Sequence, residues 1–319
     1  MDSTMANLDD GGARAYRIGK DAYRISDAKA LGCVAVTVLI YAVLCTVGLY
    51  GGSVLAYVLL VFPLGFVLQF FFNALHYCTH DTFVTSKPWN YALGVVFGCI
   101  TVMNFALYRP YHLQHHKHLF TDKDPEPIDR VITSKLQYAF EMSAPLFFLD
   151  NWAQSIKTSI RTGIPNIFGR EVPYLSETDR SSILANNVVL LAWLAFMVGM
   201  TAHFGSVVAW LYWLPLLVSF ILANFVILPE HYQTDWVVGR NALNSRTIKA
   251  GSVTRFFLLG LNYHAEHHLY PAVPFHNLPR LNEQIGNEVR HRQTSYISFH
   301  CALWRSLPWR STPASRCAG

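Results

Sequence analysis

The stretch VLAYVLLVFPLGFVLQFFFNALHYCTH, Val54 to His80, joins a long apolar run to a pair of histidines. Its first part, up to Phe72, carries no charged side chain, and about 20 apolar residues suffice for a helix to cross a bilayer. His76 and His80 follow four positions apart, so a helix would place both imidazoles on one face. The stretch therefore predicts a membrane span with two histidines aimed at a common point beyond its end.

The composition of the whole chain agrees with a membrane location. Of 319 residues, 52% are hydrophobic and 14% are charged, whereas soluble domains carry about 25% charged residues. The net charge of +5 is small, and the charged residues are scattered along the chain. We therefore expect no nucleic-acid partner. The six cysteines form no CxxC pair, so we expect free thiols in a reducing compartment. The polar N-terminus lacks the apolar core of a cleaved signal peptide.

Four apolar runs predict an all-α integral membrane protein with two helical hairpins. The runs are residues 31–50, 54–72, 182–202 and 207–228. A fifth stretch, Trp89 to Tyr108, contains Asn90 and Asn104 among other polar positions, and we expect it to lie at the interface or to dip in and return. The short turns at 51–53 and 203–206 lack Lys and Arg, while the N-terminal arm and the 109–180 segment are rich in both. By the positive-inside rule, the termini and the middle segment are then cytoplasmic.

The histidines of the chain fall into three boxes, HYCTH, HLQHH and HAEHH, with one further histidine in PEHYQTD. These residues are His76, His80, His112, His115, His116, His231, His264, His267 and His268. One such spacing is a weak signal, but three boxes in one membrane chain strongly indicate metal binding. Nine imidazoles exceed one four-ligand zinc site, so two metals are expected. Imidazole suits zinc, copper, iron and nickel, and iron adds the redox chemistry that zinc lacks.

In this order and position, the boxes resemble those of the integral-membrane fatty acid desaturase and hydroxylase superfamily. The run NYHAEHHLYPAVPFHNLPRL, Asn262 to Leu281, is especially similar, and the resemblance covers roughly residues 30–290. It implies four spans under a cytoplasmic helical cap, two iron ions held by the nine histidines, and O2 as co-substrate. It implies no catalytic residue beyond these ligands. No GxGxxG or HPGG motif is present, so electrons are expected from an external ferredoxin or cytochrome b5 with its reductase.

The expected function is O2-dependent introduction of a double bond into the acyl chain of a lipid or fatty acid. A hydroxylase or ketolase acting on a lipid, a carotenoid or a small secondary metabolite is the near alternative. A non-catalytic metal-binding or transport protein is remote, because a transporter usually places polar ligands within its spans. The expected location is multi-pass, in a bacterial inner membrane or the endoplasmic reticulum. Residues 1–30 form an N-terminal arm, 31–290 the membrane domain, and 291–319 a tail.

Other polar residues near the boxes could support the metal ligands, or they could have only a structural or surface role. We expect His118 to support the ligands or lie at the surface, His203 to be no ligand, and His276 to be structural. His291 and His300 are predicted at the surface. Ligating histidines usually donate their second N–H to a carboxylate or carbonyl, and the candidate acids are Asp81, Asp122, Asp124, Glu230 and Asp235. Solvated loop charges are an equal interpretation for each, and Asn262 could orient a water or form a turn.

Overall fold

The chain is built mainly of helices, and a computed structural model describes residues 18–126, 131–163, 173–235 and 244–310 of it. Within these ranges, four helices are long and apolar enough to cross a membrane. They are α1 (Asp27–Gly51), α2 (Val54–Thr79), α7 (Glu177–Phe204) and α8 (Ser206–His231). The shorter helices are α3 (Lys87–Ile100), α4 (Phe105–His118), α5 (Lys135–Ser143), α6 (Leu146–Gly163), α9 (Ser252–Phe257), α10 (His264–Leu269), α11 (Leu278–Ile285) and α12 (Tyr296–Ser306).

The four long helices form the two predicted hairpins, and their outer faces are apolar. Gly52 ends α1 in the left-handed conformation, and the Ser53 side chain then caps α2 by accepting a hydrogen bond from the Ala56 N–H. Exposed side chains on these faces include Leu39, Val47, Leu59, Phe62, Leu191 and Val198. Contact with water would cost about 25 cal/mol for each Å² of such surface. Lipid removes that cost, so these faces fit a bilayer.

The second half of α2 is the centre of the molecule. Every residue from 67 to 79 is buried, and the helix packs against α3 and α8. Phe71 contacts Phe97 of α3, and Phe72 contacts Phe148 of α6. Because α2 continues without a break to Thr79, it carries His76 rigidly out of the apolar core.

A sharp bend between α3 and α4 returns the chain toward the end of α2. The two helices meet at 108°, and the Met103 N–H donates to the Gly98 carbonyl across the bend, at 2.7 Å. Asn104 caps α4 by accepting a hydrogen bond from the Leu107 N–H. Its amide nitrogen donates to the Ile183 carbonyl and the Asn187 side chain on α7. The bend is therefore anchored against a membrane helix, and it places the second histidine box opposite the first.

A small cap follows α8 and contains the only two strands in the described part of the chain. β1 (Arg246–Ile248) and β2 (His291–Gln293) pair in parallel. Thr247 of β1 donates to Glu266 of α10. Arg246 donates to the Pro229 carbonyl of α8 and lies over the Phe299 ring of α12. These contacts attach the third histidine box to the end of α8.

The structure confirms the predicted membrane-helix architecture, with each helix extending beyond its apolar run. The apolar runs are shorter than the helices because some helices begin at polar residues, such as Asp27 in α1 and Glu177 in α7. The small sheet was not predicted, since its strands are three residues long. The predicted domain limits are not tested, but β2 and α12 lie within the predicted tail and pack on the cap and α8. The arm before residue 18 and the tail after residue 310, including Cys317, lie outside the described residues.

Replacing Gly98 by Ala should destabilise the bend. A Cβ there would lie 2.6 Å from the Met103 carbonyl oxygen, a backbone atom that cannot turn aside. Overpacking of this kind costs about 1–3 kcal/mol, so Gly98→Ala should lower the thermal unfolding midpoint in detergent. Gly199→Ala in α7 is the matched control, because nothing lies within 4 Å of its added Cβ. Equal midpoints for the two variants would contradict this account of the bend.

Candidate metal centre

The nine histidines predicted from the boxes come together in one cluster. α2 and its C-terminal cap supply His76 and His80, α4 supplies the second box, the last residue of α8 is His231, and α10 supplies the third box. The cluster therefore depends on the order of elements described above: an unbroken α2, the bend before α4, and the contacts between β1 and α10. Its members are buried, except for His80 and His116, which are partly buried.

Five of the histidines form one group around a common point. Each of His76, His80, His112, His116 and His267 offers a ring nitrogen, and these five atoms all lie within 4.8 Å of one another. The shortest separations join Nε2 of His76 to Nε2 of His267, at 2.8 Å, and Nε2 of His116 to Nε2 of His112, at 2.9 Å. Nε2 of His112 lies 3.1 Å from Nε2 of His80.

The remaining four histidines form a second group beside the first. Ring nitrogens of His115, His231 and His268 lie within 4.8 Å of one another. His264 joins them through its Nε2, which is 3.0 Å from the Nε2 of His231. The two groups touch, because the rings of His116 and His268 stack with centroids 4.1 Å apart. The cluster thus has the form of two adjacent nitrogen-lined sites.

The outward-facing Nδ1 atoms of several histidines meet hydrogen-bonding groups. Nδ1 of His231 donates to the Asn244 carbonyl at 2.8 Å, and Nδ1 of His115 lies 3.1 Å from an Asp124 oxygen. Nδ1 of His264 lies 3.4 Å from a Glu230 oxygen but makes no hydrogen bond among the described residues. A proton on Nδ1 leaves the Nε2 lone pair free and aimed inward. This arrangement, with carboxylates and carbonyls behind the rings, is the usual support of metal-bound imidazoles.

The nitrogen separations and the protonation states both fit metal ions. Two nitrogens bound to one metal at about 2.1 Å lie about 3.0 Å apart when the bonds meet at a right angle, close to the separations found here. Burial lowers the pKa of His264, His267 and His268 well below 6.5. Burial, with the charges of Arg109 and His115, lowers the pKa of His80 to about 3. Neutral imidazole is the form that binds metal, and a cation would relieve the repulsion between facing lone pairs.

His115 differs from its neighbours because acids stand behind it. Burial alone would lower its pKa, but Glu126 and the hydrogen bond to Asp124 outweigh burial and raise it. Glu126 lies 3.4 Å from Nδ1 of His115, and burial raises the pKa of Glu126. The sequence analysis named Asp124 among the candidate acids and missed Glu126. Only the folded chain shows that Glu126 lies beside His115.

Glu266 is a second residue that sequence reasoning missed. It stands inside the third box, is fully buried, and accepts hydrogen bonds from Thr247 of β1 and Asn282 of α11. It holds α10 in place between these two elements, so the three histidines of the box keep a fixed direction. Its position inside the box was the only available signal in the sequence, and its burial depends on the packing of β1 and α11 around it.

The structure places the remaining candidates outside the cluster. His118 belongs to neither nitrogen group, His203 is exposed, and Nε2 of His276 donates to the Arg24 carbonyl, a structural contact as expected. The surface prediction for His300 is wrong, because Tyr138 and the Phe225 carbonyl bind its two ring nitrogens. His291 is partly buried.

The structure also shows the surroundings of the other candidate acids and of Asn262. Asp81 pairs with Arg109, at 2.9 Å, and Asp235 pairs with Arg290, at 2.7 Å. Asp122 is exposed. Asn262 is buried and donates to the Ile248 carbonyl, which makes it a support of the cap. Only Asp124 and Glu230, of the five acids, contact a histidine of the two nitrogen groups.

A small chamber of about 30 Å³ opens against the two nitrogen groups. Its lining includes His76, His112, His115, His231 and His264, together with Phe72, Val226, Leu261 and Gln69. Its apolar wall consists of Phe72, Val226, Ile227 and Leu261, beside polar lining residues that include Glu126 and Glu230. Such a wall would exclude water from a group held beside the metals.

Comparisons with known proteins agree with this geometry. A family model described as fatty acid desaturase matches residues 52–300. Dihydrorhizobitoxine desaturase of Bradyrhizobium elkanii is 26% identical over 278 residues, covering 84% of this chain and 77% of that protein. Fatty acid conjugase FAC2 B of Calendula officinalis is 20% identical over 265 residues, covering 73% and 68%. An acyl-lipid (7-3)-desaturase of Chlamydomonas reinhardtii is 26% identical over 168 residues, covering 48% and 32%. The chain belongs to the fatty acid desaturase family.

Proposed function

We propose that this protein is an O2-dependent membrane desaturase that uses two histidine-bound irons to remove two hydrogens from an aliphatic chain. The observation that carries the proposal is the convergence of the inward-facing histidine nitrogens into two adjacent groups, one of five and one of three joined by His264. Membership of the desaturase family and the names of its relatives support the reaction type. Hydroxylation by the same centre is the alternative outcome that the experiment below separates.

The ligand assignment follows the two groups. We propose that one iron is held by His76, His80, His112, His116 and His267, and the other by His115, His231, His264 and His268. Iron is preferred to zinc because removal of hydrogens is an oxidation, and zinc does no redox chemistry. When bound, the irons would supply the activation of O2.

The protein's own residues hold the reacting carbon and exclude water. Phe72, Val226 and Leu261 line the chamber against the imidazoles, so an aliphatic segment there would sit in an apolar wall. Positioning of this kind decides between loss of a second hydrogen and gain of oxygen. Electrons are proposed to come from an external ferredoxin or cytochrome b5, and the cluster is proposed to face the cytoplasm on the charge argument.

Replacing Asp124 by Asn should weaken metal binding without unfolding the protein. Asp124 accepts from Nδ1 of His115, and loss of such a support typically costs about 10–100-fold in metal affinity. Iron content after dialysis against a chelator series measures the effect. Asp122→Asn is the matched control, since Asp122 is exposed two positions earlier. Iron retention equal to that of the control would contradict the proposed support of His115 by Asp124.

Replacing His267 by Ala should abolish product formation, because its Nε2 lies within 3.2 Å of those of both His76 and His116. Untargeted mass spectrometry of lipids and metabolites from expressing cells measures this outcome. The expected species lacks two hydrogens and is present with the intact chain and with His118→Ala, whose residue lies outside both groups. A species that gains oxygen instead would make the protein a hydroxylase. Unchanged product from His267→Ala, at equal protein level, would refute the proposed centre.

A further inference from the structure

A cleft of about 270 Å³ lies between α1, α9 and α11, apart from the metal centre. Its lining combines apolar and polar side chains, which include Cys33, Phe256, Phe275, Ser252, Arg255 and His276. No described residue lines both this cleft and the small chamber at the histidines. Phe256 stacks on Phe70 of α2, whereas Gln69 and Phe72 of the same helix line the chamber. α2 therefore stands between the two spaces.

The cleft lies where the apolar runs of two membrane helices end on the same side. Phe257 of α9 contacts Phe66 of α2, with ring centroids 5.1 Å apart, and Phe66 lies within the last two turns of an apolar run that ends at Phe72. Cys33 lies in the first turn of the apolar run of α1. Val253 of α9 is 65% exposed, which fits contact with lipid. This is the depth at which hydrocarbon gives way to lipid head groups.

Arg255 brings an unpaired positive charge to this boundary. Among the described residues its guanidinium makes one hydrogen bond, to the Tyr263 hydroxyl at 3.4 Å, and no ion pair. A guanidinium carries five N–H donors, and a charge beside hydrocarbon is costly unless it is paired or reaches the head groups. A phosphate meets both needs, because its oxygens accept two parallel N–H bonds from an arginine. Basic pockets between membrane helices bind lipid head groups in this way.

His276 offers the cleft a bare ring nitrogen, which is independent of the charge of Arg255. Nε2 of His276 donates to the Arg24 carbonyl at 3.1 Å. Its Nδ1 is buried and has no partner in the part of the chain that the structure describes. Burial and the nearby charge of Lys29 lower the pKa of His276, so the ring is neutral and Nδ1 is an acceptor that needs a donor. Lys29 repels an ammonium group, so a hydroxyl is the donor that fits.

We propose that the cleft binds a membrane phospholipid with a hydroxyl-bearing head group. Its phosphate lies against Arg255, a head-group hydroxyl donates to Nδ1 of His276, and one acyl chain follows Cys33 and Phe256. Phosphatidylglycerol has this chemistry, and a soluble phosphate ester of glycerol shares its polar part. The bound lipid is not the substrate, because α2 separates it from the chamber at the metals. Binding at this site needs no turnover.

Native mass spectrometry of the iron-loaded, full-length protein in a non-ionic detergent tests this site. Phosphatidylglycerol, phosphatidylethanolamine and phosphatidylcholine with the same acyl chains are added one at a time, and the fraction of protein with bound lipid gives each affinity. We expect phosphatidylglycerol to bind at least about fivefold more tightly than the other two, the effect of one hydrogen bond. Glycerophosphoglycerol, the same head group without acyl chains, should bind far more weakly than the lipid.

Two matched substitutions test the contribution of Arg255. Arg255→Gln should weaken the binding of phosphatidylglycerol at least about tenfold, the effect of losing a hydrogen bond between charged groups. Arg280→Gln removes the same charge from an exposed position of α11 that follows a lining residue but lies outside the lining itself, and it should bind the lipid as the intact protein does. Equal losses from the two substitutions would show a general attraction to positive surface and would overturn the site.

His276→Gln tests the head-group preference. Glutamine can still donate to the Arg24 carbonyl but lacks an acceptor at the Nδ1 position, so the preference for phosphatidylglycerol over phosphatidylcholine should disappear. Equal affinities of the intact protein for the three lipids, or a preference that survives this substitution, would refute the assigned head group. Binding of glycerophosphoglycerol as tight as that of the lipid would refute a membrane source for the ligand.

Discussion

The structure depends on the clustering of nine imidazoles, seven of them buried, whose ring nitrogens face one another. Facing lone pairs repel, and protonation is opposed by burial, as the lowered pKa of His267 and its neighbours shows. Such a cluster is costly in an empty protein and favourable around cations. The fold must therefore hold the rings against their own repulsion. It does so with an unbroken α2, an anchored bend before α4, and Glu266 fixed between β1 and α11.

The long apolar helices contribute to this rigidity. In a bilayer every backbone group must be satisfied within the chain, so the spans are helices. α2 is buried over its second half, so packing on that half also fixes the direction of its last turn. His76 therefore needs no loop to position it. His231 stands in the same way at the end of α8, so two histidines of the cluster inherit the stiffness of membrane helices.

The sequence predicted the architecture and the histidines because both leave local periodic signals. Apolar runs of about 20 residues indicate spans, and spacings of three and four indicate one helix face. Asp124 was within reach of the same reasoning, since it follows the second box closely. Glu126, Gln69 and the burial of His300 were not predictable, because they depend on how distant segments pack. The division of nine histidines into two groups also required three-dimensional distances.

A cavity of about 620 Å³ lies beside the histidines, and its lining includes His231 and Glu126. α6 borders this cavity and also holds the bend before α4, because the Asn104 N–H donates to the Asn151 side chain and Trp152 donates to the Val102 carbonyl. Glu126 lines this cavity and lies 3.4 Å from Nδ1 of His115, so a change of charge there also acts on a histidine of the cluster. Gln69 lies two turns before His76 on α2 and lines the small chamber beside the histidines. Substitutions in the cavity lining are therefore not independent of the residues that support the histidines.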